Sequence, residues 1–510
     1  MRGALQPETS RVTASMDQPT PEALQGHSLS RAEIRSILIG ILLAMLLATL
    51  DQTIIATALP TIGRDLNDLE HLSWVVTVYL LTATAVTPLY GKFSDTHGRR
   101  ITLLIGIATF IVGSIACALA PTMFTLILAR GLQGLGGGGL ISLAQTIVAD
   151  LVPPKERSRY QVYFASVFVT SSLVGPVLGG FIAEHLHWSV IFWINLPLGL
   201  VALWMSNDSL KRLPRHDRRH ALDWLGAVLM VAGTSSFMLV LSWGGVRYPW
   251  ASWPIVGLLA VSALLWALFV MRLRLAGEPL IPPSIFRNQV VRMGTLAACF
   301  GMGTYIGLTI FLPVYFESVR GFSASASGLA LIPLMVGTVA GATLSGRSMS
   351  KAMHYKRLPL VGLGVAMLCT GLLVAFADSL PLLPLEILLA LISMGLGTLL
   401  PVSTVSIQNA VEPYELGTAT GAANFARSLG GALIVAVFGA IIVAGTGGAG
   451  QAGSMEDLAT AAARSGVELA TVFQFVFAAA LAGFGLAFAF LFAMEERPLR
   501  GSATPATEAS

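Results

Sequence analysis

Charge is scarce in this sequence: Asp, Glu, Lys and Arg make up 11% of its 510 residues, against about a quarter in soluble globular domains. A surface facing water needs that charge and a surface facing lipid does not, so the solvent of this chain is a bilayer. The formal net charge of +4 gives no reason to expect a nucleic acid partner. Cysteine is scarce as well. Cys117, Cys299 and Cys369 all sit inside apolar runs, which excludes a disulfide framework and reads as three small buried hydrophobes. No metal-ligand spacing is present, so neither a metal nor a cofactor is expected. The missing Gly-x-x-x-x-Gly-Lys loop excludes transport driven directly by ATP. The glycine run at 136–139 lies inside an apolar stretch and does not read as a nucleotide loop. No intramembrane His pair or His/Asp cluster points to a membrane enzyme.

What is abundant is apolar sequence, 55% of the chain. Residues 1–35 are polar and read as a disordered cytoplasmic tail, and residues 495–510 as a cytoplasmic tail. The first apolar run is too long for a signal-peptide core and has no small-residue cleavage site, so it reads as a retained span. Fourteen runs of spanning length follow one another at 36–59, 72–90, 101–120, 123–149, 160–183, 189–207, 222–243, 253–271, 293–314, 326–346, 358–377, 382–405, 416–444 and 467–494. In lipid only helices or closed barrels satisfy the backbone, and these runs are too long and too evenly apolar for barrel strands. The expected fold is therefore an all-α polytopic membrane protein with fourteen transmembrane helices.

Lys and Arg positions test that count. With a cytoplasmic N-terminus, the first tail carries Arg2, Arg11, Arg31 and Arg35, and alternate loops carry Lys92, Arg99 and Arg100, then Lys155, Arg157 and Arg159, with further clusters around residues 211–219, 272–292 and 347–357. The intervening loops hold only Arg64, Arg247, Arg320 and Arg464. A missed or invented span would scramble this alternation, which places both termini in the cytoplasm and the protein in the inner membrane. Only Arg130 and Arg427 fall inside spans.

Spans 1–6 and 9–14 read as two diverged copies. After the fourth span of each comes Pro-x-Glu, at Pro154–Glu156 and Pro413–Glu415, followed by a glycine-rich fifth span carrying Ser172–Gly175 or Ser428–Gly431. The expected organisation is an N-terminal half at 36–207, a linker with inserted spans 7 and 8 at 208–272, and a C-terminal half at 273–494.

Four motifs sharpen this reading. Between spans 2 and 3 stands Gly91-Lys92-Phe93-Ser94-Asp95-Thr96-His97-Gly98-Arg99-Arg100, which closely resembles the signature of that loop in the major facilitator superfamily. Its glycines permit a tight turn against a neighbouring helix, and Asp95 is suited to a helix N-terminus. On span 1, Asp51-Gln52-Thr53 through Pro60 resembles the signature of the fourteen-helix drug:proton antiporter branch. Asp51 lies about 22 Å along its span at ~1.5 Å per residue, past the midplane. A lone carboxylate there is costly when charged and is expected to be neutral or paired much of the time. Desolvation would raise its pKa, which suits a group that loads and releases a proton; the alternative is a structural Asp bonded to a neighbouring helix. On span 4, Arg130 to Gly136 resembles the family's fourth-helix motif. Arg130 needs a polar cavity or an acid, and Asp51 is among its options. On span 5, Gly175-Pro176-Val177-Leu178-Gly179-Gly180 resembles the antiporter signature, with Gly175 and Gly179 for close packing and Pro176 for a bend. Trp188 to Gly199, containing Phe192 to Pro197, also resembles the drug-exporter branch at span 6 and reads as architectural. The loop after span 10, Gly346 to Lys351, is a degraded copy of the first motif without its Asp.

The resemblance implies two six-helix halves with substrate held between them near the midplane. It implies a proton-coupled antiporter that exports amphipathic compounds across the inner membrane, and no enzyme. The alternative is a proton-linked carrier with a narrow metabolite or siderophore substrate. Asp51 and Arg130 are the expected proton-coupling residues. Gly91, Asp95, Gly98, Arg99, Gly175, Pro176 and Gly179 are expected to serve switching. Gln133, Tyr305 and Glu386 are candidates for a cavity wall built by spans 1, 4, 9 and 12. With Asp51 committed to protons, only Glu386 is left to neutralise a cationic drug, so neutral or monovalent lipophilic substrates are expected. No residue bears on a periplasmic adaptor.

Overall fold

The computed structural model describes residues 30–212, 222–245, 247–349, 354–446 and 469–499. Among them are 14 helices long and apolar enough to cross a membrane. Spans 1–6 are Ala32–Asp65, Leu72–His97, Arg99–Ala118, Met123–Leu151, Pro154–His185 and Val190–Ser209. Spans 7 and 8 are Trp224–Trp243 and Trp253–Leu275. Spans 9–14 are Gln289–Ser318, Ala326–Met349, Arg357–Phe376, Leu382–Asn409, Pro413–Gly445 and Leu469–Ala493.

Three local readings change. The tail expected at 1–35 ends early, because the Ser30 side chain accepts the Glu33 N–H at 3.2 Å and the Glu33 carboxylate accepts the Ser30 N–H at 2.8 Å. This capping box starts a helix at Arg31; residues 1–29 lie outside the described residues, as do 500–510. At the other terminus, Tyr355 and Asn409 donate to the carbonyls of Arg497 and Pro498, tying the start of the expected tail to the bundle. Span 2 does not stop at residue 90 but runs to His97. The motif expected in a loop is therefore mostly helical, and the turn falls on Gly98 alone, at φ +91, a conformation that only glycine adopts freely. Span 4 is not one regular helix. Met123–Gly137 and Leu140–Leu151 are separated at Gly138 and Gly139. A Cβ on Gly138 would strike the Ala83 carbonyl, and the Gly138 carbonyl accepts a 2.8 Å bond from Thr87 on span 2.

Packing follows a pattern that is repeated once. Span 1 lies on spans 5 and 6, span 3 on spans 4 and 6, and span 2 on span 4; span 9 lies on 13 and 14, span 11 on 12 and 14, and span 10 on 12. The two large cores share no residue: one is built on side chains such as Ile41, Ile107 and Leu143, the other on Phe316, Leu396 and Phe477. The fold is thus two six-helix halves. They meet along two seams, span 2 against span 13 and span 5 against span 10. Spans 7 and 8 pair with each other and cover the first seam, where Ala227, Met230 and Phe269 pack with Ala422 and Leu89.

Lipid removes the hydrophobic drive between helices, so close backbone approach and interhelical hydrogen bonds carry much of the association. On span 1, Thr49, Thr53 and Thr57 recur at helical spacing toward span 5. Thr49 shares a 2.7 Å bond with Ser171, and Thr53 donates to the Ser171 carbonyl at 2.8 Å. Gly175 and Gly179 are the matching hollows, since a Cβ on either would run into Thr53 or Thr57. Pro176 between them is exposed. The C-terminal half uses the same device, with a Cβ on Gly303 coming to 2.7 Å from the Gly430 carbonyl. Gly175→Val should therefore lower the melting temperature of the purified protein through overpacking worth about 1–3 kcal/mol, with Gly175→Ala milder. A Gly175→Val melt superimposable on wild type would contradict this packing.

Candidate functional site

Asp51 is not a lone carboxylate. Arg130 Nη1 donates to its Oδ2 at 2.6 Å, and Gln133 Nε2 and Asn195 Nδ2 donate to its Oδ1 at 2.9 and 2.8 Å. The Asp51 and Arg130 side chains are both 0% exposed. Arg130 also donates from Nε to the Val75 carbonyl at 3.1 Å and from Nη1 to Gln133 Oε1 at 2.6 Å. Ser114 Oγ accepts from Gln133 and Asn195. The guanidinium carbon sits 4.3 Å from the Tyr79 ring centroid and 5.9 Å from that of Phe192, within cation–π range. Arg130 Nη2 has no partner.

Spans 1, 2, 3, 4 and 6 all contribute to this network, so it lies wholly inside the N-terminal half. Every bonded group at Asp51 is a donor, an arrangement fitted to an ionised carboxylate. Two expectations are corrected. Gln133 is not on a cavity wall: it is fully buried and bridges Asp51, Arg130 and Ser114, because the helical spacing of three residues puts it beside Arg130. Asn195 is not merely architectural, since it holds Asp51 from span 6. An amide in the middle of an apolar run was the available signal, and its partner depended on how span 6 is rotated. Ser114 and Tyr79 carried no signal of their own.

A second network closes the seam at the end of the bundle that bears the Lys and Arg clusters. Asp95 Oδ1 accepts from Arg99 at 2.5 Å and from the Gly417 N–H at 2.9 Å; its Oδ2 accepts the Thr418 N–H at 2.6 Å and the Thr418 hydroxyl at 2.7 Å. Asp95 thus caps the first turn of the span 13 helix from the opposite half, where free N–H groups and the helix dipole favour an anion. Arg99 reaches on to Ser94 and Asp150, at 2.8 and 2.7 Å. Gly91 makes the approach possible, as a Cβ there would collide with the Gly417 carbonyl. The other seam keeps the backbone approach, with Ser158 donating to the Gly346 carbonyl at 3.0 Å, and the second motif copy there lacks the Asp that forms the latch. Deeper in, Asn424 donates to Gln145 Oε1 at 2.9 Å, and Gln408 to the Gln145 carbonyl at 3.3 Å.

Tyr305, on span 9, is part-buried against the C-terminal core. Glu386 is part-buried near the start of span 12, at the opposite end from the latch. The structure brings neither of them to Asp51. A narrow space with room for about one water lies at the seam, and span 13 lines it together with spans 4, 9 and 12.

The family model described as Major Facilitator Superfamily matches residues 41–435. Multidrug resistance protein 3 of Bacillus subtilis (strain 168) is 34% identical over 414 residues, covering 81% of this chain and 80% of that protein. Multidrug transporter protein MdtP of the same strain is 33% identical over 423 residues, covering 81% and 76%. MFS efflux transporter aclA of Aspergillus oryzae is 32% identical over 428 residues, covering 81% and 78%. Among solved structures, the proton:xylose symporter XylE matches with a TM-score of 0.61 at 15% identity over 92% of this chain and 98% of that one, a likeness of fold. The chain belongs to the Major Facilitator Superfamily. It is a multi-pass membrane transporter and not an enzyme.

Two outcomes check these networks. Asp51→Asn or Arg130→Gln alone leaves a buried partner uncompensated, a loss of about 3–5 kcal/mol. The double substitution should therefore melt above either single variant; additive losses would show that the two residues do not act as a pair. Separately, Asp95→Asn should loosen the latch. A maleimide should then label a cysteine introduced at the buried Thr420 at least about fivefold faster, the effect of roughly 1 kcal/mol from one lost charged hydrogen bond. An unchanged rate would place the closing force elsewhere.

Proposed function

We propose that this transporter is a proton-coupled antiporter that exports amphipathic compounds across the cytoplasmic membrane, with Asp51 as the proton site and Arg130 as its counter-ion. The carrying observation is the sealed Asp51–Arg130 pair. A buried ion pair is stable only while both charges persist, so a proton on Asp51 removes the reason for the geometry. Arg130 then keeps Val75, Gln133 and the Tyr79 face but loses its anion. The carboxylate has no water access in this conformation, so loading and release belong to a conformation in which the half has rearranged.

Span 2 offers the mechanical route. Arg130 bonds the carbonyl of Val75 near one end of it, and Asp95 latches onto span 13 near the other, about 30 Å away at 1.5 Å per residue. A change of charge at the pair therefore pulls on the same rigid element that carries the latch. Span 1 gives a parallel line through Thr49 and Thr53 to span 5, whose start meets Gly346. In this scheme Gly91, Asp95, Gly98, Arg99, Gly175, Pro176 and Gly179 serve the exchange of conformations and do not touch substrate. The names of the relatives support efflux of many compounds. The Lys and Arg distribution supports a cytoplasmic location for the latched end and both termini.

The test is transport in proteoliposomes with an imposed pH gradient. Asp51→Asn combined with Arg130→Gln removes the titrating group without orphaning a charge. This variant should still exchange substrate at equal pH on both sides, while gradient-driven accumulation falls to the level of empty liposomes. Undiminished accumulation would remove Asp51 from the coupling step.

A further inference from the structure

We infer that Arg427, together with Ser403, binds the anionic group of the transported compound at the seam between the halves. The inference rests on the reading of that seam as the transport route. Arg130 and Arg427 lie well inside their spans, away from the ends where the other described Lys and Arg residues gather, and the structure treats the two differently. Arg130 is neutralised by Asp51. Arg427, on span 13, pairs with no acidic side chain among the described residues; its bonded partner is the amide oxygen of Asn424. Asn424 is oriented for this by giving its own amide N–H groups to Gln145 Oε1 and to the Thr420 carbonyl, at 2.9 and 3.0 Å. The guanidinium is thereby left with a neutral partner and no acidic one among the described residues.

Arg427 lines the pocket at the seam. So does Ser403, which is 1% exposed and whose Oγ has no hydrogen-bond partner. An unsatisfied buried hydroxyl and an unneutralised cation facing one space are each costly alone. In a conformation that widens this space beyond its present room for about one water, a single carboxylate would satisfy both, accepting from the guanidinium fork and from the hydroxyl. Gln145 brings a polar edge from the N-terminal half, and Ala298, Ile407 and Ala423 supply an apolar floor for the adjoining part of the ligand. Neither acid considered above for a substrate or a proton pairs with this charge. Asp51 is enclosed in the other half, and Glu386 lies 17 residues before Ser403 on the same helix, about 26 Å away. The class of ligand is an amphipathic monoanion, a carboxylate on an apolar body. This departs from the neutral or singly charged cationic lipophiles expected from Glu386 in the sequence.

The experiment is equilibrium binding to the purified full chain in lipid nanodiscs, with 2-naphthylacetate against its uncharged amide. The wild type should bind the acid at least about tenfold tighter than the amide, the scale of one charge-assisted contact. Arg427→Gln should abolish that preference while changing amide affinity less than about twofold, and Arg427→Lys should keep part of it. Asn424→Asp, which sets a carboxylate against the guanidinium, should erase the preference with Arg427 still in place, so the outcome does not depend on one variant folding. Acid bound no tighter than amide by the wild type, or a preference that survives both Arg427→Gln and Asn424→Asp, overturns the inference. Binding needs no proton gradient, so failure here is distinct from failure of Asp51 in gradient-driven transport.

Discussion

A carboxylate and a guanidinium held 2.6 Å apart, out of reach of solvent, set the terms for the N-terminal half. Bare charges at that depth are prohibitively costly, and the pair is tolerable only because other spans supply the rest of the solvation. Gln133 and Asn195 complete the carboxylate, while Val75, Tyr79 and Phe192 surround the cation. Each of these groups fixes the rotation of its helix about its own axis. With Ser114 of span 3 accepting from Gln133 and Asn195, five helices are thereby registered against one another by a single electrostatic requirement, in a solvent where apolar surface alone distinguishes poorly between registers.

The same economy governs the contact between halves. Beside apolar packing of residues such as Ala149 and Ala419, one acid, Asp95, caps a helix of the other half, and glycines at 91 and 417 bring the backbones close. Such a contact is strong because it is charge-assisted. The seams are unequal. The one covered by spans 7 and 8 carries the carboxylate, and the other relies on backbone approach at Ser158 and Gly346. Electrostatics are unequal too: the N-terminal half balances its buried cation internally, and the C-terminal half leaves Arg427 facing the space between them.

Much of this was legible before any coordinates. Lipid imposes spans of fixed length, and fourteen of them could be counted from apolar runs and checked against Lys and Arg. The departures have local causes. The Ser30–Glu33 capping box and the continuation of span 2 to His97 are polar helical ends, which hydropathy cannot distinguish from loops. The break in span 4 follows from four successive glycines whose consequence depended on Thr87 and Ala83 lying opposite.

The sequence by itself determined the fold class, the number of spans and the identity of the charged residues buried within them, because burial of charge in lipid is so costly that composition alone exposes it. It did not determine partners. That Gln133 faces Asp51, that Asn195 completes the site, and that Arg427 has a neutral amide where Arg130 has an acid were decided by the tertiary structure. Every span is helical and apolar whichever way it is rotated; only packing against its neighbours chooses which few polar side chains meet, and in a medium without water that choice fixes the chemistry.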